Sequence, residues 1–447
     1  ENIHSYEQYK ERVPVRDYEE LRPYIEKVVN GEKDILWPGK PLYFAKTSGT
    51  TSGAKYIPIT KESIKTHIRS ARDALLNYFL KTKNFKPLNG KHMFLQGSPE
   101  LNKKQGIYHG RLSGISAHYV PKLFLRNRKP SWNTNCVEDW DDKVEAIIKE
   151  TIGEKMTIIA GIPSWVQMYF EKIVLKEGKT ISQVFPDLSL YVYGGVSYEP
   201  YRQIFDKLFG KSIDTLATFP ASEGFFGYQD QFNKDQTDLL LLLNNDIFYE
   251  FIKADDFLSG KHDRISIKDV EMDVNYLLII STSAGLWSYN IGDTIKFTSI
   301  DPYRIIVSGR IKHFLSAFGE HVISEEVEKA MEAATKLHNV AIREFTVAPN
   351  INPIDMLPHH EWYIEFENFP EDMSAFTKSL DNEMINQNIY YKDLIDGKIL
   401  KSLEVISVER GGFNNYMKSV GRLGGQNKVP RLSNDRKIAD KLKTINS

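Results

Sequence analysis

Thr47-Ser48-Gly49-Thr50-Thr51-Ser52-Gly53-Ala54-Lys55 is the stretch from which the fold and function of this chain are inferred. Its first seven residues comprise five hydroxyl side chains and two glycines, so N–H and O–H groups can converge on one anion beside the lysine. These residue types predict a loop that binds phosphate groups. The loop is not a P-loop, because Gly49 and Gly53 enclose three residues and Tyr56 follows the lysine. Taken alone, such a run is more often a solvated loop, so the interpretation depends on the rest of the chain.

Length and composition restrict the classes of protein that this chain can represent. A chain of 447 residues is too long for one ordinary core, which predicts two or three domains. The formal net charge of -1 argues against binding of nucleic acid. The longest apolar run, at residues 239–243, is too short to span a bilayer, so no membrane association is expected. The single cysteine, Cys136, cannot form an internal disulfide, and no signal-peptide pattern is visible, which together predict a cytoplasmic location.

The order of strand-like and helix-like segments predicts an α/β fold. Strands are predicted at residues 92–96, 156–160, 188–193, 213–218 and 276–281, and helices at 18–29, 142–151, 164–176 and 199–209. This alternation favours a large, multi-layer N-terminal domain with mainly parallel sheets. From residue 312 onward a smaller, mobile α+β domain is predicted, because a glycine and charged residues separate two self-sufficient patterns there.

The predicted domains are therefore residues 1–311 and residues 312–447. The phosphate loop is expected between a strand at 42–45 and a helix that Thr60 caps. The sequence begins at Glu1 rather than at a methionine, which leaves open whether another segment precedes it.

Two motifs are expected at the ends of strands, where α/β sheets bind ligands. Phe219-Pro220-Ala221-Ser222-Glu223-Gly224 follows the strand at 213–218. Its aromatic ring can stack on a base, and its carboxylate can hold a Mg²⁺ that bridges phosphates. A buried phenylalanine beside a surface glutamate is the alternative. Tyr193-Gly194-Gly195-Val196 ends another strand with two glycines, beside which a planar ring can lie flat.

Three later motifs offer charged groups. In Tyr289-Asn290-Ile291-Gly292-Asp293, the aspartate follows a glycine turn and can accept both hydroxyls of a ribose, or it can cap its own turn. Gly309-Arg310-Ile311-Lys312 breaks a strand at 304–307 and is either a hinge or a surface charge cluster. Gly424-Gly425-Gln426-Asn427-Lys428-Val429-Pro430-Arg431 is a glycine-rich turn that presents Lys428, although a lysine in a loop is usually a solvated charge.

Two other kinds of site have little support in the sequence. His359-His360-Glu361 lacks the spacing of a zinc-binding helix. A Ser-His-Asp hydrolase would need Gly-x-Ser-x-Gly at a strand-to-helix turn, and the sequence does not contain that pattern.

In their order and spacing, these motifs resemble the adenylate-forming superfamily of acyl-CoA ligases, luciferases and peptide-synthetase adenylation domains. Residues 47–60 resemble its Ser/Thr-Gly-rich loop, 219–223 its Tyr-Gly-x-Thr-Glu motif, 289–293 its Tyr-Arg-Thr-Gly-Asp motif, and 309–319 its hinge. The closer resemblance is to the auxin-responsive acyl acid amido synthetase family, in particular its bacterial-type members. Residues 193–202, the Ala-Ser-Glu-Gly form at 221–224 and the motif at 424–431 carry that resemblance.

The resemblance implies that a carboxylic acid reacts with ATP to form an acyl-adenylate, and that the acyl group then passes to an amine such as an amino acid. It assigns Ser48, Gly49, Thr50, Thr51 and Ser52 to the ATP phosphates, Glu223 to Mg²⁺, Asp293 and Arg310 to the ribose, and Lys428 to the reacting carboxylate and α-phosphate. Gly194, Gly195, Phe219 and Ser222 would complete the nucleotide site. Phe219 replaces the usual tyrosine, which keeps a stacking face but loses a hydroxyl, and Asn290 replaces the usual arginine.

Two alternatives share part of this interpretation. An acyl-CoA ligase would form the same intermediate and differ only in its thiol acceptor, and a non-catalytic regulator would bind the nucleotide without turnover. The joint presence of Glu223, Asp293 and Lys428 argues against the regulator, because binding alone does not need all three. His109, Trp165 and Tyr198 are candidates for the acyl pocket, with core or surface packing as the alternative. No pattern identifies the acid, the amine or the oligomeric state.

Overall fold

The computed structural model describes residues 3–47, 55–120, 125–195, 198, 201–232, 237–311, 314–315, 322–351, 353, 356–396, 399–423, 428–433 and 436–445. The helices are α1 (Tyr6–Arg12), α2 (Tyr18–Val29), α3 (Lys61–Thr82), α4 (Leu112–Ala117), α5 (Trp132–Asn135), α6 (Trp140–Thr151), α7 (Pro163–Glu177), α8 (Ile181–Val184), α9 (Arg202–Phe209), α10 (Ala254–Leu258), α11 (Ser324–Leu337), α12 (Met373–Gln387), α13 (Ile389–Asp396), α14 (Gly412–Ser419) and α15 (Lys437–Ile445). The strands are β1 (Tyr43–Thr47), β2 (Lys55–Ile59), β3 (Lys91–Phe94), β4 (Asn102–Lys104), β5 (Ile107–Gly110), β6 (Arg128–Lys129), β7 (Met156–Ala160), β8 (Leu190–Gly194), β9 (Asp214–Ala221), β10 (Gly224–Tyr228), β11 (Leu239–Leu241), β12 (Ile247–Lys253), β13 (Ile265–Ser266), β14 (Asn275–Thr282), β15 (Tyr289–Ile300), β16 (Tyr303–Arg310), β17 (Phe314–Leu315), β18 (Val322–Ile323), β19 (Ala341–Asn350), β20 (His359–Asn368) and β21 (Glu404–Val408).

The chain folds into two units. Unit 1 consists of Glu1–Val196 and Phe209–Val307, and unit 2 consists of Ser197–Leu208 and Ser308–Ser447. Unit 2 therefore contains a short segment from the middle of the chain in addition to the C-terminal part. The predicted domains, 1–311 and 312–447, differ from these units at that segment and near residue 308, and the domain assignment stays a prediction.

Unit 1 is organised around a sheet of 12 strands in the order β13-β12-β14-β15-β16-β11-β10-β9-β8-β7-β3-β6. Pairing is parallel from β6 through β3, β7 and β8 to β9. Helix α7 lies in the connection between the parallel neighbours β7 and β8, which need such a crossover, and α6 lies in the connection from β6 to β7, which flank β3. The pairs β9–β10, β10–β11, β12–β13, β12–β14 and β14–β15 are antiparallel. The predicted α/β class, with a large N-terminal and a smaller C-terminal part, is confirmed, but parallel pairing is restricted to one half of this sheet.

Several elements have the predicted positions because their local signals are strong. Helix α2 has the predicted bounds, and its N-cap Asp17 accepts hydrogen bonds from the backbone N–H groups of Glu19 and Glu20. Strand β7 also has the predicted bounds. The helix predicted at 199–209 begins later, at Arg202. Capping residues and hydrophobic periodicity therefore predicted where these elements lie in the chain. The helix end without a capping residue differs from its predicted position.

Helix α3, with 22 residues, is the longest helix of the described residues and covers the junction between the two halves of the sheet. Its buried side chains Ala74 and Tyr78 pack with Leu216 of β9 and Phe225 of β10. Its exposed side chains include Lys61, Glu62 and Lys65, as expected for a helix that covers a sheet, but also Leu76 and Leu80. None of the helices that the structure describes combines the length and apolar character needed to cross a bilayer.

Unit 2 contains a second sheet, in the order β19-β20-β21. Because side chains alternate along β20, Trp362 and Ile364 join a core with residues of α11 and α12, and Tyr363 joins a core with residues of α14 and α15 on the other face. Each face of the sheet therefore has its own apolar core. The predicted smaller α+β part is confirmed in this arrangement.

Candidate active site

The predicted phosphate loop connects two antiparallel strands. Thr47 at the end of β1 pairs with Lys55 at the start of β2, so both ends of the loop at 48–54 lie side by side. The expectation that the loop lies between a strand and a helix was wrong, because β2 intervenes before α3 begins. The sequence 55–59 is short and contains Pro58, which obscured this strand. Ser48, Gly49, Thr50, Thr51 and Ser52 lie outside the described residues.

Aromatic side chains surround the base of this hairpin. The Tyr18 hydroxyl accepts a hydrogen bond from the backbone N–H of Tyr56 at 2.8 Å, and the ring of Tyr18 lies 5.2 Å from Lys55 Nζ. At that distance a lysine ammonium is attracted to the face of the ring. Thr60 then caps α3 by accepting from the N–H of Ser63, which confirms the predicted N-cap. These contacts therefore fix the start of β2 and the start of α3.

The two glycines at the end of β8 have distinct roles. A Cβ atom at Gly194 would lie 2.6 Å from the carbonyl oxygen and 2.8 Å from Oγ1 of Thr218 in the neighbouring strand β9. Thr218 Oγ1 in turn donates to the carbonyl of Tyr193 at 2.9 Å. Gly195 has a φ of 85°, in the left-handed region that favours glycine. Close strand packing therefore requires Gly194, and the turn that leaves the strand favours Gly195.

Glu223 lies in a hairpin turn at the end of β9. This strand extends through Ala221, Ser222 and Glu223 form the turn, and β10 begins at Gly224, which pairs with Ala221. The prediction that residues 219–224 follow the strand was wrong for Phe219, Pro220 and Ala221, which lie within it. Because β8 and β9 are parallel neighbours, the structure brings 194–195 and 222–223 to the same, carboxyl-terminal edge of the sheet.

Phe219 packs in the interior. Its ring is 7% exposed and contacts Phe226 edge to face, with 5.0 Å between the ring centroids. Such pairs are a standard core contact. This is the packing that the alternative interpretation of Phe219 predicted, and a role beside a base remains a prediction.

Asp293 and Gly292 both lie inside strand β15, although the sequence had predicted a glycine turn before Asp293. Residues 291–293 of β15 bulge opposite β14 between the pairs Leu277–Thr294 and Ile279–Asn290. Gly292, with a φ of 84°, permits the bulge, and its N–H donates to the Asn290 side chain at 2.8 Å. The Asp293 carboxylate is buried, at 9% exposure. Asn290, which departs from the family motif, therefore stabilises the backbone that presents Asp293.

Strand β16 continues through Arg310, so the prediction that Gly309 breaks this strand was wrong. Gly309 has a φ of 150°, and a Cβ atom there would lie 3.0 Å from Cβ of Ser324. The strand can pass this residue because glycine tolerates both the backbone conformation and the close neighbour. The backbone of Arg310 therefore has a defined place at the end of β16.

Lys428 is exposed, and the residues after it are anchored to unit 2. Thr346 Oγ1 donates to the carbonyl of Pro430 at 2.7 Å, and the N–H of Val347 donates to the carbonyl of Arg431 at 2.8 Å. The Arg431 side chain is buried, at 8% exposure. Sequence reasoning missed this buried arginine, because its partners, Glu344 and Tyr201, are distant in the chain.

The three residues suggested for an acyl pocket pack with other aromatic rings. His109 contacts Phe44 at a centroid distance of 5.3 Å, and burial lowers its pKa. Trp165 lies 4.7 Å from Trp140, measured between ring centroids. Tyr198, in unit 2, contacts Phe205 edge to face at 5.3 Å. These contacts match the packing alternative for all three residues.

His359, Glu361 and Glu404 in unit 2 place potential metal-ligand atoms within 4.8 Å of one another. Glu361 already accepts hydrogen bonds from Asn350, Tyr363, Arg436 and Lys443. These donors overcome the effect of burial and lower the pKa of Glu361 to about 2. Two cations, Arg436 and Lys443, therefore neutralise this carboxylate and attach α15 and the residue before it to strand β20.

Comparison with known proteins identifies the family. Residues 1–128 match the GH3 family N-terminal domain, residues 240–310 match the GH3 family central domain, and residues 325–437 match the GH3 family C-terminal domain. The chain belongs to the GH3 family. The family resemblance inferred from the motifs is thereby confirmed, and its bacterial-type assignment stays a prediction.

Relatives of this GH3 protein have names that describe amide formation. Jasmonoyl--L-amino acid synthetase JAR4 of Nicotiana attenuata is 22% identical over 505 residues, which cover 95% of this chain and 85% of the relative. Indole-3-acetic acid-amido synthetase GH3.3 of Arabidopsis thaliana is 22% identical over 503 residues, with 95% and 83% covered.

Solved structures show the same fold. The GH3.15 acyl acid amido synthetase has a TM-score of 0.78 at 17% identity, with 98% of this chain and 88% of that chain covered. A 2-hydroxyisobutyryl-CoA ligase in its postadenylation state has a TM-score of 0.61 at 11% identity, with 98% of this chain and 84% of the ligase chain covered. The GH3 protein described here therefore has the fold of adenylate-forming enzymes.

Proposed function

We propose that this protein is an ATP-dependent acyl acid amido synthetase, a ligase that joins a carboxylic acid to an amine, specifically an amino acid. The observation that carries the proposal is the position of 194–195 and 222–223 at the carboxyl-terminal ends of adjacent parallel strands, in a chain of the GH3 family. Ligands of α/β sheets bind at such strand ends. The names of the relatives supply the chemistry that is proposed for this site.

The proposed reaction has two steps. A carboxylate oxygen of the acid attacks the α-phosphorus of ATP, the bond to the β-phosphate breaks, and pyrophosphate leaves. The amine nitrogen then attacks the acyl carbon of the adenylate, loses a proton, and expels AMP. Negative charge accumulates around the α-phosphorus in the first step, so fixed N–H and O–H donors and a cation can lower its barrier.

The residues proposed for ATP are those of the family motifs. Ser48, Gly49, Thr50, Thr51 and Ser52 orient the phosphates, Gly194, Gly195, Phe219 and Ser222 surround the base, and Asp293 and Arg310 address the ribose. The burial of Asp293 supports its assignment, because a carboxylate in a dry site accepts hydroxyl hydrogen bonds strongly. Lys428 is proposed to offset the charge of the carboxylate and the α-phosphate.

Glu223 is the residue proposed to hold Mg²⁺. Its carboxylate provides the hard oxygen ligand that Mg²⁺ prefers, and the hairpin turn leaves the side chain partly exposed, so the residue fits the ion. Mg²⁺ held by Glu223 would supply neutralisation of negative charge on ATP. The turn itself fixes the backbone that carries Glu223.

Amide formation is favoured over thioester formation by the family assignment. The curated relatives cited above are named as amido synthetases, whereas the CoA ligase shares the fold at the lower TM-score of 0.61. Both reactions start with the same adenylate, so the acceptor distinguishes them.

The test measures pyrophosphate release from ATP with a panel of carboxylic acids that includes jasmonic acid and indole-3-acetic acid. An acid that supports release is then supplied with amino acids or with CoA, and the products are identified by mass spectrometry. The proposal expects one amide and one AMP per pyrophosphate. A thioester with CoA and no amide would overturn the amido assignment, and no release with any acid would overturn acid activation.

The variant Lys428→Ala tests the role of the lysine. Because its charge is needed only when the carboxylate meets the α-phosphate, the exchange of pyrophosphate into ATP should fall by about 10²- to 10³-fold. Conversion of a supplied acyl-adenylate to amide should stay close to the parental rate. Lys441→Ala removes an exposed lysine of α15 in the same unit and should change neither step. Equal losses in both half-reactions, or no loss, would contradict the role.

A further inference from the structure

The segment that follows Lys428 extends the small sheet of unit 2. The N–H of Val347 donates to the carbonyl of Arg431 at 2.8 Å, and the N–H of Ser433 donates to the carbonyl of Val347 at 3.0 Å. Leu432, between them, is fully buried and forms a parallel bridge to Val347 on the edge strand β19. The backbone at 431–433 is therefore held against the edge strand β19 by one parallel bridge.

The Arg431 side chain also holds this segment in place, through contacts with other residues of unit 2. Its Nη1 forms an ion pair with Glu344 and donates to the carbonyl of Phe345 at 3.1 Å. Its Nε lies 3.2 Å from Glu328 Oε1, and its Nη2 donates to the Tyr201 hydroxyl at 3.3 Å. The guanidinium thus uses all three of its nitrogens, a geometry that lysine cannot reproduce.

The positive charge of Arg431 compensates the buried acidic groups around it. Burial raises the pKa of Glu328, and the positive charge of Arg431 opposes that rise. Although burial lowers the pKa of Arg431, the acidic groups, with Glu344 first, outweigh that effect and raise it overall. A neutral side chain at this position would leave Glu344 and Glu328 without their cation, and unpaired buried charges are costly.

Tyr201 brings a residue from the middle of the chain into this cluster. It belongs to the segment Ser197–Leu208 of unit 2, and its side chain is 2% exposed. Its hydroxyl donates to Glu344 at 3.3 Å and accepts from Arg431. The cluster therefore closes around the guanidinium from three separate parts of the sequence.

The distance along the chain limits where Lys428 can lie. Only Val429 and Pro430 lie between it and Arg431, so the two Cα atoms are at most about 11 Å apart even in an extended chain. The carbonyl of Pro430 is also fixed by Thr346 Oγ1, which leaves only Val429 between Lys428 and the nearest anchored residue. The position of the lysine backbone is therefore governed by what holds 430–431.

We propose that Arg431, clamped by Glu344, Glu328 and Tyr201, is a positioning residue that sets where Lys428 is presented for acid activation. The inference rests on the proposed role of Lys428. Arg431 acts through the lysine-bearing backbone and does not itself touch the reacting atoms. Loss of the contacts that hold Arg431 should therefore slow acyl-adenylate formation, which needs Lys428. Amide formation from the adenylate, which does not need Lys428, should be unchanged.

The test compares Arg431→Lys with Arg436→Lys in both half-reactions. Arg436 is a matched control, because it is a partly buried arginine of the same unit whose Nη2 lies 2.7 Å from Glu361. Arg431→Lys should lower the maximal rate of pyrophosphate exchange by about 10- to 10²-fold, as expected for a misplaced group, and leave the KM for ATP within about threefold. Amide formation from a supplied acyl-adenylate should be unchanged, and Arg436→Lys should change neither rate.

A double variant separates positioning from general damage. If Arg431 acts only through Lys428, Lys428→Ala combined with Arg431→Lys should be no slower than Lys428→Ala alone. Multiplying losses, or an Arg431→Lys enzyme that exchanges pyrophosphate normally, would overturn the inference. If Arg431→Lys folds poorly, Tyr201→Phe provides a second variant, because it removes one hydroxyl that contacts Arg431. It should lower the rate of pyrophosphate exchange by a few-fold. An unchanged rate would contradict the inference. If Lys428→Ala itself exchanges at the parental rate, the failure lies in the proposed role of Lys428.

Discussion

Gly194 lies so close to Thr218 that a Cβ atom at residue 194 would approach the Thr218 carbonyl oxygen to 2.6 Å. The contact is with backbone, which cannot rotate away, so Gly194→Ala should push β8 and β9 apart. We expect a loss of about 1–3 kcal/mol in the free energy of unfolding, together with a raised KM for ATP. Urea unfolding and initial rates of pyrophosphate release measure the two effects.

Gly178→Ala is the control for that variant. Gly178 has a φ of 64°, and no atom of the described residues lies within 4 Å of the place that a Cβ atom would occupy. It is not a proposed site residue. Its substitution should cost about 1 kcal/mol through backbone strain and leave the KM for ATP unchanged. A normal KM in Gly194→Ala would show that β8 does not shape the nucleotide site.

Glu223→Gln should weaken the dependence of adenylation on Mg²⁺ and leave the fold intact, because the amide keeps the shape of the carboxylate but loses its charge. Titration of Mg²⁺ at fixed ATP should show a higher requirement and a lower maximal rate of pyrophosphate release. Glu145→Gln, an exposed glutamate of α6, should behave as the parent. A lowered melting temperature with parental kinetics would make Glu223 a structural residue.

A buried ion pair connects the end of α1 to the sheet of unit 1. Arg264 lies 3.2 Å from the fully buried Glu250 and donates to the carbonyls of Lys10 and Val13. Glu250→Gln leaves the guanidinium without its counter-charge, so stability should fall by about 3–5 kcal/mol. Lys253→Gln breaks an exposed pair with Glu271 at 2.9 Å and should lower stability much less, because solvent screens that pair. Equal shifts in the unfolding midpoint for Glu250→Gln and Lys253→Gln would contradict the prediction that the buried pair contributes more to stability.

Lys143 makes stability depend on pH. Its side chain is 1% exposed and donates to the carbonyl of Asn135 at 2.5 Å, and burial lowers its pKa from 10.5 to about 8. Between pH 8 and pH 10.5 the unfolded chain retains a proton that the folded protein has lost, so stability rises with pH. Relative to Lys143→Met, the free energy of unfolding of the parent protein should rise by up to about 1.4 kcal/mol per pH unit between pH 8 and pH 10.5. Urea unfolding at several pH values tests this, and parallel profiles would contradict it.

Local signals made part of this fold and site predictable. The helix at 18–29 has both an apolar face and the cap Asp17, and the motif at 219–224 placed Glu223 at a strand end. The hairpin formed by β9 and β10 was missed, since glycines at 224 and 227 are atypical of a strand. Arg431 was missed because a charged residue in a loop is usually solvated, and only tertiary structure reveals its partners.

Transfer of an oxygen atom tests the central claim, acid activation through an acyl-adenylate, most directly. An acid that supports pyrophosphate release is labelled with ¹⁸O in its carboxylate and converted to amide with ATP and an amino acid. Because a carboxylate oxygen bonds to the α-phosphorus and stays there when the amine displaces AMP, the account predicts one ¹⁸O in the phosphate of AMP and one in the amide. Label in inorganic phosphate with ADP as the other product, or AMP without label, would contradict it.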